Sequence, residues 1–472
     1  MCTSAGSVCS ELHTAPAALR RAATSASAAS TLRFVAFIMA RDMRLAAALV
    51  VLTATGVARA DEPWPPPPPP WVADRAAVPD LATKAEGGFP DGLPLVGYDT
   101  NTGAGLGVGA HYTITGSRSD SLFAYTPYRH RFYAQTYFTT GGYQQHILSY
   151  DGFYVGDSPY RLRAVLTYER NIAANYFGTG TSALADLSYR GRSYSTYDAA
   201  VAAAGQNYYR FTYERPQGQV LLERTFFGGR VRALYGVNVQ YESVATYGAT
   251  TKLGADCAAA IVSGCEGGWN NTLRAGISYD TRDFDPDPNS GIFVDSTGAW
   301  SAKGFGSYAN YVRWTTAARA YVSPLPDLTD LVLAGRVFYS IQSAAVPFFT
   351  MNTLAMAGGT DDFTDQTGLG GERTLRGYRQ DRFIGVVEAG ANVEVRWTFA
   401  KFPVLRQHFS LQVAPFVDSG RVFDQVGLSL DDWKVAGGAG LRIGWNRSTI
   451  IMLDYGISPE GTSFYIDFGM PF

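Results

Sequence analysis

The stretch Ser463-Phe464-Tyr465-Ile466-Asp467-Phe468-Gly469-Met470-Pro471-Phe472 carries an apolar side chain at nearly every second position. Because successive side chains of a β-strand point to opposite sides, the even-numbered residues would share one apolar face. The odd-numbered residues include Ser463, Tyr465 and Asp467 and would share a more polar face. The stretch therefore predicts a strand with an apolar environment on one side and a polar one on the other.

The same alternation recurs along most of the chain. It is clear in Val231–Tyr241, in Leu273–Asp280 and in Arg313–Val322, where arginines and acids occupy the face opposite the apolar stripe. Such stretches are typical of a transmembrane β-barrel whose exterior meets lipid and whose lumen is polar. Closure into a barrel also pairs the backbone groups that the bilayer leaves without water. We therefore predict an all-β fold, a transmembrane antiparallel β-barrel with no helix between its strands.

We count about sixteen strands. They begin near Leu95, Gly105, Arg131, Tyr143, Tyr160, Asn207, Gly229, Asn271, Gly291, Tyr311, Leu331, Gly390, Phe409, Val435, Thr449 and Ser463. An even number places both chain ends on the periplasmic side. The longest break, from about Ser343 to Val386, then follows the eleventh strand and is an extracellular loop six that is inserted into the barrel.

Composition narrows the function classes. The chain of 472 residues is 46% hydrophobic, 14% aromatic and 17% charged, with a formal net charge of −2. Without a clear basic excess, nothing favours nucleic-acid binding. The sequence has no G-x-S-x-G, no H-E-x-x-H and no metal-spaced Cys/His set. We therefore predict no enzyme, no metal site and no cofactor.

Residues 1–60 are predicted to be a leader that ends in a signal peptide. A positive start at Met43-Arg44 precedes the apolar run Leu45–Val57 and the A-x-A site that ends at Ala60, as in secretory signals. Translation is expected to start at Met43 or Met39, and the alternative is a genuine long leader.

Residues 61–91 form a predicted periplasmic linker, and residues 92–472 form the barrel. The linker contains six consecutive prolines, Pro65 to Pro70, which favour the extended polyproline II form. A spacer role is preferred, and a ligand for a proline-binding partner is the alternative.

Cys257 and Cys265 lie close together within one predicted loop. If this loop is outside the cytoplasm, the two residues could form a small disulfide. The alternative is two free thiols.

A glycine-rich segment, Gly368–Tyr378, contains Arg376 and lies within loop six. It could be an exposed loop with an incidental arginine, or a loop folded back into the barrel with Arg376 held by lumenal acids. Strand alternation places Glu394 on the polar face of the twelfth strand and Asp418 on that of the thirteenth. Adjacent strands and matching faces make these two acids candidate partners of Arg376, whose guanidinium suits bidentate pairing.

Three motifs carry a resemblance to a known family. The loop-six motif, with Gly370, Gly371, Leu375, Arg376, Gly377 and Tyr378, resembles the loop-six signature of the BamA/TamA superfamily (bacterial surface antigen type) of outer-membrane assembly and translocation barrels. Phe416–Gly420 resembles the family's strand motif that ends in Asp-x-Gly. Tyr279–Asp283, followed by Pro286, Pro288 and Gly291, resembles its periplasmic turn between the eighth and ninth strands. Together the motifs span a whole family barrel, residues 92–472.

The resemblance implies a location in the bacterial outer membrane and a pairing of Arg376 with Glu394 and Asp418. It also implies a protein or lipid client and contact with outer-membrane lipid. Most family members carry periplasmic POTRA domains, and about thirty residues between Ala60 and the barrel cannot hold one. The chain therefore resembles a barrel-only branch, in which a periplasmic accessory protein would have to supply client capture.

Two functions follow as hypotheses. In the first, a weak seam between the first and last strands opens laterally, since strand one, Leu95–Asp99, is short and contains glycine; the alternative is a strand that merely closes the barrel. In the second, the barrel is a passive pore for small solutes. Its lumen would be lined by Arg232, Arg274, Arg313, Arg319 and Arg336; the alternative is that these arginines are structural pairs for lumenal acids. Tyr465, Phe468 and Phe472 also fit a C-terminal signal for the protein's own insertion.

Overall fold

A computed structural model describes residues 69, 71–72, 81, 84–285, 287–343, 346–354, 366–405, 407–446 and 449–472. The predicted leader, most of the predicted linker and Pro286 lie outside the described residues.

Sixteen strands form the barrel wall. They are β1 (Gly87–Asp99), β2 (Gly103–Gly116), β3 (His130–Thr139), β4 (Gln144–Gly152), β5 (Tyr160–Asn175), β6 (Arg210–Phe226), β7 (Val231–Thr246), β8 (Thr272–Asp280), β9 (Gly291–Ser301), β10 (Tyr311–Val322), β11 (Leu331–Gln342), β12 (Val387–Val404), β13 (Gln407–Phe423), β14 (Lys434–Trp445), β15 (Thr449–Ser458) and β16 (Gly461–Phe468). Each strand pairs antiparallel with the next, and β16 pairs back with β1. The predicted sixteen-stranded antiparallel barrel is confirmed.

The first strand differs from its prediction. β1 begins at Gly87, eight residues before Leu95, whereas the other strands begin within three residues of their predicted starts. Glycines and prolines in residues 87–94 weaken the intrinsic strand signal. The edge of β2 nevertheless pairs with this segment over its whole length, because tertiary pairing overrides local propensity.

Short helices occupy the loops, so the expectation of no helix between strands was wrong. They are α1 (Tyr197–Ala204), α2 (Lys252–Ala258) and α3 (Phe348–Met351). Threonines begin the first two: Thr196 accepts from the N–H of Ala199, and Thr251 from that of Gly254, which satisfies otherwise unpaired donors. No described helix is long and apolar enough to cross a membrane.

Other short elements complete the loops. The 3-10 turns are Phe123–Tyr125, Val155–Asp157, Gly180–Leu184 and Lys303–Phe305, and the short strands outside the wall are Leu187–Tyr189, Arg192–Tyr194, Gly267–Trp269, Thr353–Leu354 and Gln366–Thr367. Loop six, residues 343–386, connects β11 to β12 and supplies the residues that enter the lumen.

The two faces of the wall have opposite polarity. Outward residues such as Val96, Val337 and Val417 are more than half exposed, while inward Arg319 and Glu394 are buried. An apolar exterior around a polar interior is the arrangement of a membrane barrel. The buried interior is therefore a set of ion pairs and hydrogen bonds, and it is here that loop six binds.

Candidate functional site: loop six and the β1–β16 seam

Loop six approaches the barrel wall backbone to backbone. Gly377 has a positive φ of 102°, a conformation that glycine adopts without steric cost. A Cβ added there would lie 2.8 Å from the carbonyl carbon of Ile457 on β15. The Ser458 hydroxyl donates to the Gly377 carbonyl over 2.9 Å. The glycine thus lets the loop lie flat against β15 and aim the preceding side chain into the lumen.

Arg376 is fully buried and is held by acids on three strands. Its Nε and Nη2 donate to the two carboxylate oxygens of Asp418 on β13, over 2.8 and 2.9 Å. Its Nη1 donates to Glu394 on β12 over 2.5 Å and to Asp454 on β15 over 2.8 Å. The backbone N–H of Arg376 also donates to Asp418 over 3.0 Å. The structure therefore brings together all three residues that the sequence singled out.

Three further members of this cluster were missed as partners by the sequence reasoning. Asp454 contacts Arg376 directly, and Arg442 on β14 donates to both Asp454 and Glu394. Arg396 on β12 donates to Glu394 over 2.8 Å. Asp454 lies among apolar residues on both faces of β15, so strand alternation does not mark it.

The charges of this cluster balance. Three arginines, Arg376, Arg396 and Arg442, meet three acids, Glu394, Asp418 and Asp454, and every one is at most 1% exposed. Complete pairing matters because a buried charge that loses its partner destabilises a protein by about 3–5 kcal/mol. We call these six residues the lumenal latch.

An aromatic ring and an amide complete the surroundings of Arg376. The guanidinium carbon lies 3.5 Å from the centroid of the Phe416 ring, a cation–π contact. Asn392 donates to Asp418 over 2.7 Å and to the Thr374 carbonyl over 2.6 Å. Its side-chain oxygen accepts from Arg336 over 2.8 Å. The loop backbone and the wall are thus joined around one side chain.

The remaining residues of the loop-six motif are buried with it. Gly370 and Gly371 have positive φ values of 112° and 94°, and Leu375 is fully buried. Tyr378 packs edge-on against Phe383, with ring centroids 5.2 Å apart. These contacts fold the loop on itself and present a compact surface to the lumen.

The seam between β1 and β16 is short. Only Tyr98–Ile466 and Asp99–Tyr465 pair across it among the described residues. Just beyond them, Thr100 Oγ1 donates to the Phe464 carbonyl over 3.1 Å and accepts from the Phe464 N–H over 2.8 Å. By contrast, β1 pairs with β2 along thirteen residues. The barrel is therefore held least strongly at this junction.

The end of β16 departs from the predicted alternation. The strand stops at Phe468, and the backbone turns at Gly469, whose φ is 92°. The Phe472 ring then lies 5.0 Å from the Arg336 guanidinium and 5.2 Å from that of Arg396. Phe472 therefore does not share the outward face of Phe468, because four residues after the strand fold into the lumen.

The proposed insertion-signal residues have separate environments. Tyr465 is fully buried and donates to the Tyr378 carbonyl over 3.3 Å. Phe468 is partly exposed at the end of β16, and Phe472 packs against lumenal arginines. A role of these residues in the protein's own insertion stays a prediction.

Cys257 and Cys265 form a disulfide in the loop between β7 and β8, with Cα atoms 6.0 Å apart. This loop contacts loop six directly, since the Phe348 N–H donates to the Ser263 carbonyl over 3.0 Å. In the part of the chain that the structure describes, no group of three His, Cys, Asp or Glu side chains is arranged to hold a metal ion.

Four of the predicted lumenal arginines contact acids or carbonyls, and Arg313 and Arg336 donate to the carbonyls of Thr350 and Arg373 in loop six. Arg319 pairs with Asp295, and Arg232 with Asp280, each over 2.5 Å. In the periplasmic turn motif, Arg282 also donates to Asp280 over 2.8 Å. The pairs of Arg319 with Asp295 and of Arg232 with Asp280 join neighbouring strands of the wall.

Two regions of the chain match known protein families. Residues 152–470 match the Omp85 superfamily domain, and residues 75–129 match a domain of unknown function, DUF5982. No curated protein matches the sequence. Neither matched domain is a POTRA domain.

Two solved structures share the fold. The crystal structure of BamA from Haemophilus ducreyi lacking POTRA domains 1-3 aligns with a TM-score of 0.51 and 12% identity, over 82% of this chain and 70% of that chain. CdiB from Escherichia coli aligns with a TM-score of 0.50 and 10% identity, over 82% of this chain and 63% of that chain. The chain thus spans less than two thirds of CdiB. The Omp85 match covers more than half of the chain and includes loop six and the latch, so this protein belongs to the Omp85 superfamily and is a β-barrel of the bacterial outer membrane.

Proposed function

We propose that this barrel inserts or moves a protein or lipid client in the outer membrane, and that the client passes through the seam between β1 and β16. The observation that carries the proposal is the two-residue pairing at this seam. Opening it breaks few backbone hydrogen bonds, whereas any other junction would lose a full ladder. An opened seam offers an unpaired strand edge beside the lipid, which barrels otherwise conceal.

The arrangement of loop six supports the same proposal. The lumenal latch binds to β12, β13, β14 and β15, away from β1. The seam can therefore open while Arg376 and its acids stay in place. In this proposal the latch fixes the static wall of the barrel, and β1 with its neighbours is the moving part. The proposal assigns no chemical reaction to the chain.

The test locks the seam. Tyr98 and Ile466 face each other across it, so the double variant Tyr98→Cys/Ile466→Cys can be oxidised to close the junction covalently. In cells depleted of the wild-type protein, proteomic and lipid profiles first identify which envelope component changes. Wild type and the reduced double variant should restore that component, and the oxidised variant should not.

A matched control locks a fully paired junction. Val337 on β11 faces Ala391 on β12, and Val337→Cys/Ala391→Cys should restore the component whether oxidised or reduced. Each single cysteine variant serves as a further control. Full activity of the oxidised Tyr98→Cys/Ile466→Cys variant would refute passage through the seam.

A passive pore is the second candidate and has weaker support. Loop six and Phe472 both occupy the lumen, and Arg319 and Arg232 are paired with acids. If a pore exists, planar-bilayer recordings should show conductance that rises when residues 360–378 are deleted. Unchanged conductance in that deletion would argue against loop six as an obstruction.

A further inference from the structure

Three arginines of loop six reach the two sides of the seam from inside the barrel. Arg373 donates to Asp467 on β16 over 2.6 Å. Arg379 donates to the carbonyl of Thr100, in the turn that joins β1 to β2, over 2.9 Å. Arg382 donates to Glu460, in the turn that joins β15 to β16, over 2.7 Å.

We infer that Arg373 and Arg379 form a clasp that holds the β1–β16 seam closed from the lumenal side. The two residues lie six positions apart in loop six, and they bind opposite sides of the junction. A contact with β16 alone, or with the β1–β2 turn alone, would attach loop six to one side of the seam and would not link the two sides. Together they link the two strands through the loop.

The segment between the two arginines is well suited to carry this link. Arg376 is fixed by the lumenal latch, and Tyr378 is buried and accepts from Tyr465 on β16. The clasp therefore transmits any displacement of β1 to a part of the loop that is itself anchored to β12–β15. Among the described residues, backbone pairing across the seam is limited to Tyr98–Ile466 and Asp99–Tyr465. Thr100 adds two hydrogen bonds to Phe464, so the contacts of the clasp extend a short set.

Burial sets the strength of the two contacts. The side chains of Arg373 and Asp467 are 16% and 31% exposed, so water and ions screen this pair in part. Arg379 is 17% exposed and also lies 3.7 Å from the carboxylate of Asp198, while its contact at the seam is with the uncharged carbonyl of Thr100. Such contacts are strong enough to bias the seam and weak enough to release it. Positioning residues of this kind suit a gate that must open.

The clasp deepens the proposed function, because it assigns a regulating contact to the same seam. Its test uses a structural readout that does not depend on any client. The rate of disulfide formation in purified Tyr98→Cys/Ile466→Cys barrel measures how often the seam is closed. Asp467→Asn and, separately, Arg379→Gln should each slow this rate about threefold or more, since each removes one charged or donor group from the clasp.

Controls separate the clasp from general loss of structure. Asp330→Asn removes an exposed ion pair with Lys401 of β12, away from the seam strands β1 and β16, and should leave the rate unchanged. Exchange of the pair, Arg373→Asp with Asp467→Arg, should recover most of the wild-type rate. Each variant is first checked for a heat-resistant folded band on a gel. If Asp467→Asn does not fold, Arg379→Gln still tests the inference.

The outcomes distinguish the clasp from the proposed function. Unchanged disulfide rates in both Asp467→Asn and Arg379→Gln would overturn the clasp, whatever the client activity of the barrel. Slower rates would support it, even if the oxidised, locked seam retains full activity and passage through the seam is refuted.

Discussion

The backbones of Gly377 in loop six and Gly456 in β15 touch. A Cβ added to Gly456 would lie 2.5 Å from the nitrogen of Gly377 and 2.7 Å from the carbonyl carbon of Arg376. Real Cβ atoms do not approach other atoms so closely, so this position accepts glycine alone while the loop stays docked. The absence of a side chain at Gly456 on β15 thus determines how closely loop six docks and how far Arg376 extends into the lumen.

The first prediction is that Gly456→Ala forces the loop away from β15 and weakens every contact of Arg376. We expect a loss of about 1–3 kcal/mol in the free energy of unfolding, as for overpacked sites, measured by denaturant titration in detergent. Gly335→Ala is the matched control, because a Cβ there meets only the Asn392 carbonyl at 3.9 Å. Equal stability of the two variants would contradict the close approach.

The second prediction concerns Arg376 itself. Arg376→Ala leaves Asp418, Glu394 and Asp454 buried without one of their cations, and we expect a loss of about 3–5 kcal/mol. Arg376→Lys should recover little, because an ammonium group cannot reproduce the bidentate contact with Asp418. The readout is the temperature at which the folded band on a gel is lost.

The control for Arg376 is an exposed arginine. Arg118→Ala breaks an ion pair with Glu86 whose side chains are about half exposed, and such pairs contribute little. An Arg376→Ala barrel that melts together with the Arg118→Ala barrel would show that the latch does not stabilise the fold.

How much of this site was predictable from sequence depends on whether a feature obeys strand alternation. Glu394 and Asp418 lie on strands whose outward residues are clearly apolar, so alternation placed both acids in the lumen. Asp454 lies among apolar residues on both faces of β15, and no periodic signal marks it. Phe472 follows a turn at Gly469, and a turn ends any inference from alternation.

Dependence on local sequence also explains why the start of β1 was not predicted. Pro90, Pro94 and four glycines make residues 87–97 a poor strand by composition, yet β2 supplies a partner along the whole segment. A non-local partner of this kind leaves no mark in the local sequence. The clasp was likewise beyond prediction, since Arg373 and Arg379 meet residues that are about 90 and 280 positions away.

The third prediction is a pH dependence centred on Asp381 in loop six. Burial raises the pKa of this carboxyl to about 7, against the smaller opposing effects of Asn352, Arg215 and the Gly368 N–H. In the unfolded chain the pKa of an aspartate carboxyl is about 4. The folded state therefore binds this proton more tightly than the unfolded state does. The stability from this group is complete below about pH 4 and is lost as the pH rises through 7.

Asp381→Asn should remove this loss. Relative to wild type, we expect the variant to gain stability as the pH rises from 4 to 8 and to match wild type near pH 4. Denaturant midpoints at pH 5 and pH 8 measure the difference. Asp330→Asn, at an exposed site, should show no such trend, and parallel pH profiles of wild type and Asp381→Asn would contradict the prediction.

The fourth prediction concerns the Cys257–Cys265 disulfide. Cross-links that close a loop of this size stabilise by about 2–3 kcal/mol in the chain-entropy description. Cys257→Ser/Cys265→Ser should increase proteolysis within the loop between β7 and β8, and also in loop six, which bonds Ser263 through Phe348. Reduction of wild type should reproduce the cleavage pattern. Cleavage that is unchanged in both cases would show that the disulfide does not order either loop.

The last prediction starts from prolines inside the wall. Pro216 in β6 pairs with Tyr168 on β5, but the ladder from β6 to β7 is interrupted at this proline. Pro415 in β13 pairs with Ala439 on β14, and the ladder from β13 to β12 is interrupted in the same way. Each proline thus turns its nitrogen, which has no hydrogen to donate, towards a gap.

The same rule applies to β1. Pro90 and Pro94 pair with Tyr112 and Val108 on β2. By analogy with Pro216 and Pro415, we expect their nitrogens to face the edge that β16 leaves unpaired. This edge therefore lacks two donors at alternate hydrogen-bonding positions. Prolines at such positions are a common protection of an exposed edge against pairing with another chain. A client strand could form a complete ladder only near Val96 and Tyr98.

Pro90→Val/Pro94→Val should restore a continuous edge with two added donors and β-branched side chains. We expect the purified barrel to associate through β1, with a several-fold larger dimer fraction in sedimentation at equal detergent and protein concentrations. Pro415→Val is the control, because its gap lies within the closed wall and offers no edge to a second molecule. A Pro90→Val/Pro94→Val barrel that remains monomeric, like the control, would mean that something other than the prolines protects the edge.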